Sequence, residues 1–462
     1  MHSNPPRKWW LLLVITLGNL VATISMTSFY VASPALMRQF GVGQDAVQWA
    51  YTGYLLAAAV SMLSSAWLME RLGLRRCYLG AVAAMALASL CGAASPSLAM
   101  LIAARMILGF AGGILIPMAN IVALEWFPPS IQGRISGLQG MAVVLAPALA
   151  PALGGLLIDH FGWRAIFLMN LPCCIVALAA GLRLLPADTS GRAAPPLDGR
   201  GLALLTALTA TALLLVESLP RPSLAAGLAL AALLLALRRH LRRSAAPLFA
   251  PALFRFPPLR WGGVVGFSSG ACLFGSTYLV PVFLQDALGY SASAAGAALV
   301  PAGLMLALSL PLGGWLCDRH DARHVTIAGL LLFAAPFVSI SLALHGGTVE
   351  PLQVVLALVS ARLGLGLLLP APNLAALRGM HGRTLAQSSM LFHYARQTGG
   401  VLGVAGIAAF VQMRGALVPA STAYAEAFLA IALLAVLSIA TAWRMRRQTL
   451  PLALQDGAGR PG

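Results

Sequence analysis

Three groups of residues in this chain could do chemistry. Arg105 and Arg362 each stand in the middle of a long apolar run. His393 and Arg396 are three residues apart in another. Two short loops set an acid beside arginines: Glu70-Arg71 with Gly73, Arg75 and Arg76, and Asp318-Arg319 with Arg323. A guanidinium within an apolar segment costs about 3 kcal/mol by insertion scales, so it must face a cavity or a polar partner. The imidazole can exchange a proton near neutral pH, and on a helix its spacing puts it on one face with Arg396. An acid and arginines at a helix end can form charge contacts that hold one conformation and break in another. None of this is bond-making chemistry. There is no G-x-x-x-x-G-K-[ST], no H-E-x-x-H and no G-x-S-x-G at a strand-to-helix turn, so the chain is read as no enzyme and as needing no cofactor. Its six cysteines lack metal-ligand spacing, so no metal is expected and they are read as small core residues.

The elements that must position these groups follow from composition. Of 462 residues, 59% are hydrophobic and only 9% charged, and the mean hydropathy is +0.85. An ordinary soluble domain carries roughly a quarter charged residues, so a soluble globular protein is excluded. Apolar runs of about 20 residues, the length that crosses a bilayer as a helix, recur from end to end. They lie near 9–33, 46–69, 77–95, 98–123, 135–157 and 165–185, then 201–219 and 223–238, then 261–284, 292–317, 325–345, 352–376, 388–413 and 423–443. Fourteen spans are expected. The eighth is the weakest, because Ser223 to Leu237 as a helix reaches only about 22 Å. The net charge of +17 would suggest nucleic acid in a soluble protein, but the basic residues occupy short gaps between spans, and no nucleic-acid partner is expected. With both termini in the cytoplasm, only Arg38, Arg164, Arg221 and Arg414 among the basic residues outside the spans fall on the outer side, which fixes the orientation.

The first and last six spans read as parallel copies. Tyr30 to Pro34 parallels Tyr278 to Pro281, Glu70-Arg71 parallels Asp318-Arg319, and Arg105 with Gly109, Pro117 and Asn120 parallels Arg362 with Gly366, Pro370 and Asn373. Parallel repeats of this kind belong to carriers that rock two halves about a midplane site. The expected organisation is a six-helix bundle over 1–190, two additional helices and a basic cytoplasmic linker over 191–260, a second six-helix bundle over 261–445, and a cytoplasmic tail over 446–462.

The loop Ala66-Trp67-Leu68-Met69-Glu70-Arg71-Leu72-Gly73-Leu74-Arg75-Arg76 resembles the signature of the major facilitator superfamily, with Ala66 for the usual glycine and Glu70 for the usual aspartate. Its copy, from Gly314 through Asp318-Arg319 to Arg323, keeps both. Gln48 to Leu56, Gly162 to Pro172, Asp198 to Gly201, Pro281 to Gln285 and Arg396 to Gly400 narrow the likeness to the fourteen-span drug:proton antiporter family. Gly140, Pro147, Pro151, Gly154 and Gly155 of span five resemble the antiporter motif of its exporters, a run whose prolines and small residues let helices bend and pack closely.

The resemblance implies an all-α polytopic fold of two six-helix bundles related by a pseudo-twofold repeat, plus two extra central helices. It also implies export of amphipathic small molecules (drugs or toxic metabolites) by alternating access, driven by proton antiport, from the bacterial inner membrane. Implied partners are membrane lipid, the small-molecule substrate and protons. In a double-membraned bacterium a periplasmic adaptor and an outer-membrane channel would join them. In the family the arginine at Arg105 is associated with proton coupling. Alignment on Pro34 puts Ser25 where the family presents an aspartate and Tyr30 where it presents an asparagine, with Thr27 retained. A serine does not titrate near neutral pH, which puts the usual coupling in doubt and leaves His393 as the titratable candidate within a span. The alternatives are a single-metabolite carrier of the same fold and a non-transporting membrane sensor that has lost the coupling acid. With Arg105 and Arg362 central and no central carboxylate, substrates are expected to lean toward neutral or anionic amphiphiles.

Overall fold

The computed structural model describes residues 5–42, 44–187, 196–219, 223–244, 246–290, 292–347 and 350–445. The tail over 446–462 and Arg221 lie outside them. Among the described residues the ordered elements are all helical: α1 (Pro5–Ser28), α2 (Ser33–Phe40), α3 (Gln44–Leu72), α4 (Leu74–Ala93), α5 (Leu98–Trp126), α6 (Gln132–Phe161), α7 (Ala165–Leu168), α8 (Asn170–Leu184), α9 (Gly199–Glu217), α10 (Leu224–Arg243), α11 (Pro257–Asp286), α12 (Ala292–Arg319), α13 (Ala322–His345), α14 (Pro351–Leu368), α15 (Pro370–Leu377), α16 (Gly382–Gly415) and α17 (Ala420–Trp443). Helices prevail because hydrocarbon offers no partner for backbone N–H and C=O groups, which must therefore bond within their own segment.

Twelve helices among the described residues are long and apolar enough to cross a membrane. The helices α6 and α16, 30 and 34 residues long, are not among the twelve but stand where the fifth and thirteenth spans are expected. Proline explains the departures from unbroken spans. The first span leaves α-geometry at Ser28, runs through a 3-10 turn and restarts with Pro34 in the first turn of α2. The twelfth divides at Leu369, where Pro370 supplies no N–H, whereas its repeat partner Pro117 lies inside the continuous α5. The eighth span is longer than expected: α10 continues through Arg238, Arg239 and His240 to Arg243, and its 20 residues reach about 30 Å. Cations in a last helical turn are favoured by the carbonyl end of the dipole. Of the cysteines, Cys77, Cys174, Cys272 and Cys317 are core residues as expected, but Cys91 is exposed.

The chain forms two compact units, one of 1–127 with 142–197, the other of 128–141 with 198–462. The extra pair α9–α10 thus groups with the C-terminal helices, and so do the first turns of α6. Inside the first unit α3 packs on α5, α4 on α5 and α8, and α1 on α5 and α8. Inside the second, α12 packs on α14, α13 on α14 and α17, and α11 on α15 and α17. Each of these pairings in one unit has its counterpart in the other, as expected of a duplicated helical arrangement. Glycines permit the closest of them. A methyl group on Gly109 would fall on the Tyr54 carbonyl of α3, and one on Gly366 would fall on Ser309 of α12.

Candidate functional site

In the first unit the site is built around Arg105. Ser97 caps the N-terminus of α5 by accepting the Met100 N–H at 3.3 Å, and two turns later α5 delivers Arg105 between α1 and α3. The side chain is 1% exposed. Its Nη1 donates to the Ser25 carbonyl at 2.8 Å and its Nε to the Ala50 carbonyl at 3.4 Å. The guanidinium carbon lies 4.2 Å from the centre of the Phe29 ring and 4.4 Å from that of Tyr54, whose hydroxyl donates to the Ala22 carbonyl at 3.0 Å. Both rings offer the negative face of a π-system to the cation. Among the described residues, Nη2 of Arg105 and Oγ of Ser25 have no hydrogen-bond partner. Thr27 and Tyr30 lie on the same stretch of chain, but their side chains are outside the described residues.

In the second unit Arg362 projects from α14 toward α11, half-buried, and both terminal nitrogens donate to the Thr277 hydroxyl at 3.2 Å. His393 of α16 is 6% exposed, and among the described residues neither ring nitrogen has a hydrogen-bond partner; the Phe392 ring stands edge-on to it at 5.7 Å. Arg396, one turn on, is half-buried, and its carbonyl faces Gly270 of α11 so closely that no Cβ would fit there.

The acid–arginine loops differ from the expected picture. Asp318 does not take Arg319 or Arg323 as its partner. It accepts the Gly133 and Arg134 amides at 2.7 and 2.9 Å, capping the N-terminus of α6, and a 2.7 Å bond from Nη2 of Arg378, whose Nη1 donates to the Cys317 carbonyl at 2.9 Å. Positive helix dipole and guanidinium together neutralise a carboxylate that is 2% exposed. Arg319 instead covers the Trp315 ring at 4.1 Å, and Arg323 lies 5.3 Å from the Trp443 ring and bonds His324. In the first loop Gly73 turns the chain at φ +83°, a conformation that favours glycine, Arg75 donates to the Leu182 carbonyl at 2.6 Å and Arg71 covers Trp67 at 5.2 Å. Glu70 is half-buried and Arg76 exposed. Of the span-five motif, Gly140 lies against the Leu310 side chain, while Pro147, Pro151, Gly154 and Gly155 occupy α6 with side chains outside the described residues.

The residues missed in the sequence are Phe29, Tyr54, Thr277 and Arg378. Tyr54 lies within the Gln48 to Leu56 run and Thr277 immediately before Tyr278, so proximity to a motif is their only sequence signal. Arg378 stood among the basic residues assigned to the inner side, with nothing to mark it as the partner of an acid 60 positions earlier.

A profile of the Major Facilitator Superfamily matches residues 15–404. The chain belongs to this superfamily. It is 31% identical over 404 residues to a Multidrug resistance protein B homolog of Mycobacterium tuberculosis, covering 85% of this chain and 74% of that one. It is 28% identical over 439 residues to the Methylenomycin A resistance protein of Streptomyces coelicolor, covering 93% and 90%. The proton:xylose symporter XylE superposes with a TM-score of 0.70 at 14% identity, covering 96% of each chain, which speaks for the fold alone. The protein is therefore a multi-pass transporter of the superfamily and not an enzyme.

Proposed function

We propose that this transporter exports amphipathic small molecules (drugs or toxic metabolites) by alternating access, driven by proton antiport, from the inner membrane of a bacterium with both termini in the cytoplasm. The observation that carries the reading is the Asp318 contact. A buried carboxylate held by Arg378 and by two amides at the start of α6 is a strong, directional and breakable tie at a helix boundary, suited to biasing one of two states. A sensor that had given up transport would have no use for it. Both resistance relatives favour export over uptake, and the multidrug resistance relative favours several compounds over a single metabolite.

Proton coupling has to use a group other than residue 25, since Ser25 carries no acid. His393 meets the requirement best, as a buried imidazole whose two nitrogens are unengaged among the described residues. The test has two parts. A deletion strain is screened for susceptibility to drugs and weak acids with and without an uncoupler; hypersensitivity that the uncoupler reproduces in the parent supports driven export, and an unchanged profile argues for the sensor. Purified His393→Gln protein is then assayed in vesicles. Loss of pH-driven efflux with survival of gradient-free counterflow assigns the proton to His393, and persistence of both removes it from the mechanism.

A further inference from the structure

The serines buried in this chain's helices mostly return their hydroxyls to a carbonyl one turn earlier. Ser61, Ser64, Ser65, Ser269 and Ser276 all do so, at 2.7–3.1 Å. Ser25, 2% exposed, does not. Its carbonyl takes Nη1 of Arg105, while its own hydroxyl and Nη2 of the same guanidinium are both left without partners among the described residues. Two unsatisfied donors therefore belong to one buried contact. Buried polar groups are otherwise almost always bonded, so a pair of orphans in one contact calls for a partner that the described side chains do not supply.

Charge says what that ligand is. The cation's described contacts are two carbonyls and the faces of Phe29 and Tyr54, with no carboxylate among them. Carbonyl dipoles and ring faces ease a buried charge without neutralising it, and an uncompensated charge in the interior is costly. A water molecule would satisfy the hydrogen bonds and leave the charge. An anion does both, and one with two oxygens matches a guanidinium N–H together with a hydroxyl. The aromatic faces beside it suit an organic body over a bare inorganic ion. We infer that Arg105 and Ser25 form a binding site for the carboxylate of an amphipathic organic acid carried by this transporter. The inference rests on the exporter reading and narrows its substrates.

The test uses full-length protein in vesicles and in detergent. Benzoate, salicylate and naphthoate are each paired with the corresponding primary amide, and ethidium and chloramphenicol stand for cationic and neutral cargo. Counterflow and equilibrium binding are measured for the native chain, Ser25→Asp, Ser25→Ala and Arg105→Lys. The expected result is that at least one acid is bound and moved at least tenfold better than its amide. Ser25→Asp, which supplies an internal carboxylate, should lose that acid at least tenfold. Arg105→Lys, which keeps the charge without the fork, should also lose it, and Ser25→Ala should weaken it about threefold, in line with one hydrogen bond. Should Ser25→Asp fail to fold, the other two variants carry the comparison. Equal handling of acid and amide, or acid binding unchanged in the variants, overturns the site. Movement of ethidium or chloramphenicol without any acid overturns it too and leaves the exporter reading standing. Movement of nothing in the panel removes the exporter reading and this inference with it.

Discussion

Arg105 and Arg362 occupy equivalent positions in the two halves of a duplicated chain, yet they live differently. Arg105 is enclosed, tied to main-chain carbonyls and two aromatic rings; Arg362 is half-buried and holds one hydroxyl. In both cases a residue of the fourth helix of the repeat reaches the first, so the geometry of the reach is shared and only its end-point has changed. The placement of the charge is common to both halves, and the strength with which it is held differs. The first arginine is therefore expected to dominate transport and the second to tune it.

The largest effect should come from Arg105→Met. Removing a buried cation that lacks a carboxylate should leave thermal stability unchanged or raised, because the desolvation cost goes with it. Transport should fall about 100-fold, equivalent to about 2.7 kcal/mol in the rate-limiting barrier. A purely structural arginine would give the opposite pair of results. Melting in detergent alongside vesicle efflux separates the two.

Asp318→Ala comes next, and it tests the same principle on the loops. Its carboxylate joins Arg378 and the start of α6, and breaking a buried pair by removing one partner costs about 3 kcal/mol. Substrate should still bind while the exchange rate falls at least tenfold. Glu70→Ala should slow exchange less, since Glu70 is only half-buried. Unchanged rates in both, at normal expression, would remove the loops from gating.

These contrasts also mark what the sequence could reveal. Spans were legible because every backbone group in hydrocarbon must bond locally, which forces long apolar runs, and the repeat was legible because Arg105 and Arg362 kept their neighbours Gly109 and Gly366. Partners were not. Asp318 has Arg319 beside it and Arg323 five residues on, but those side chains cover tryptophans, and the acid is met by Arg378 and by amides from 185 positions earlier. Backbone amides carry no sequence signature, so a cap supplied by another helix is invisible until the fold is known. The break at Leu369 was hidden for a related reason, because an internal proline can be tolerated, as at Pro117, or can divide a helix, as at Pro370.

Arg362→Met should lower transport about tenfold, the loss of charge-assisted bonds worth about 1.5 kcal/mol. Equal losses from Arg362→Met and Arg105→Met would show that the two halves have not diverged in use.

The smallest effect is expected from Thr277→Val, and it is the sharpest test of how Arg362 is bound. The threonine hydroxyl receives both terminal nitrogens of Arg362 and itself donates to the Leu273 carbonyl one turn back at 2.6 Å, so it orients the guanidinium without adding charge. Valine keeps the shape and removes only the acceptor. The arginine is half-buried and can turn elsewhere, so the change should cost about 1 kcal/mol or less, a rate change within about fivefold. Thr277→Val should then add little on top of Arg362→Met, because residues sharing one bond are not additive. Measuring efflux for both single variants and the double variant checks this. Full additivity would mean that Arg362 acts on transport without Thr277, which would make its likeness to Arg105 closer than the contacts suggest.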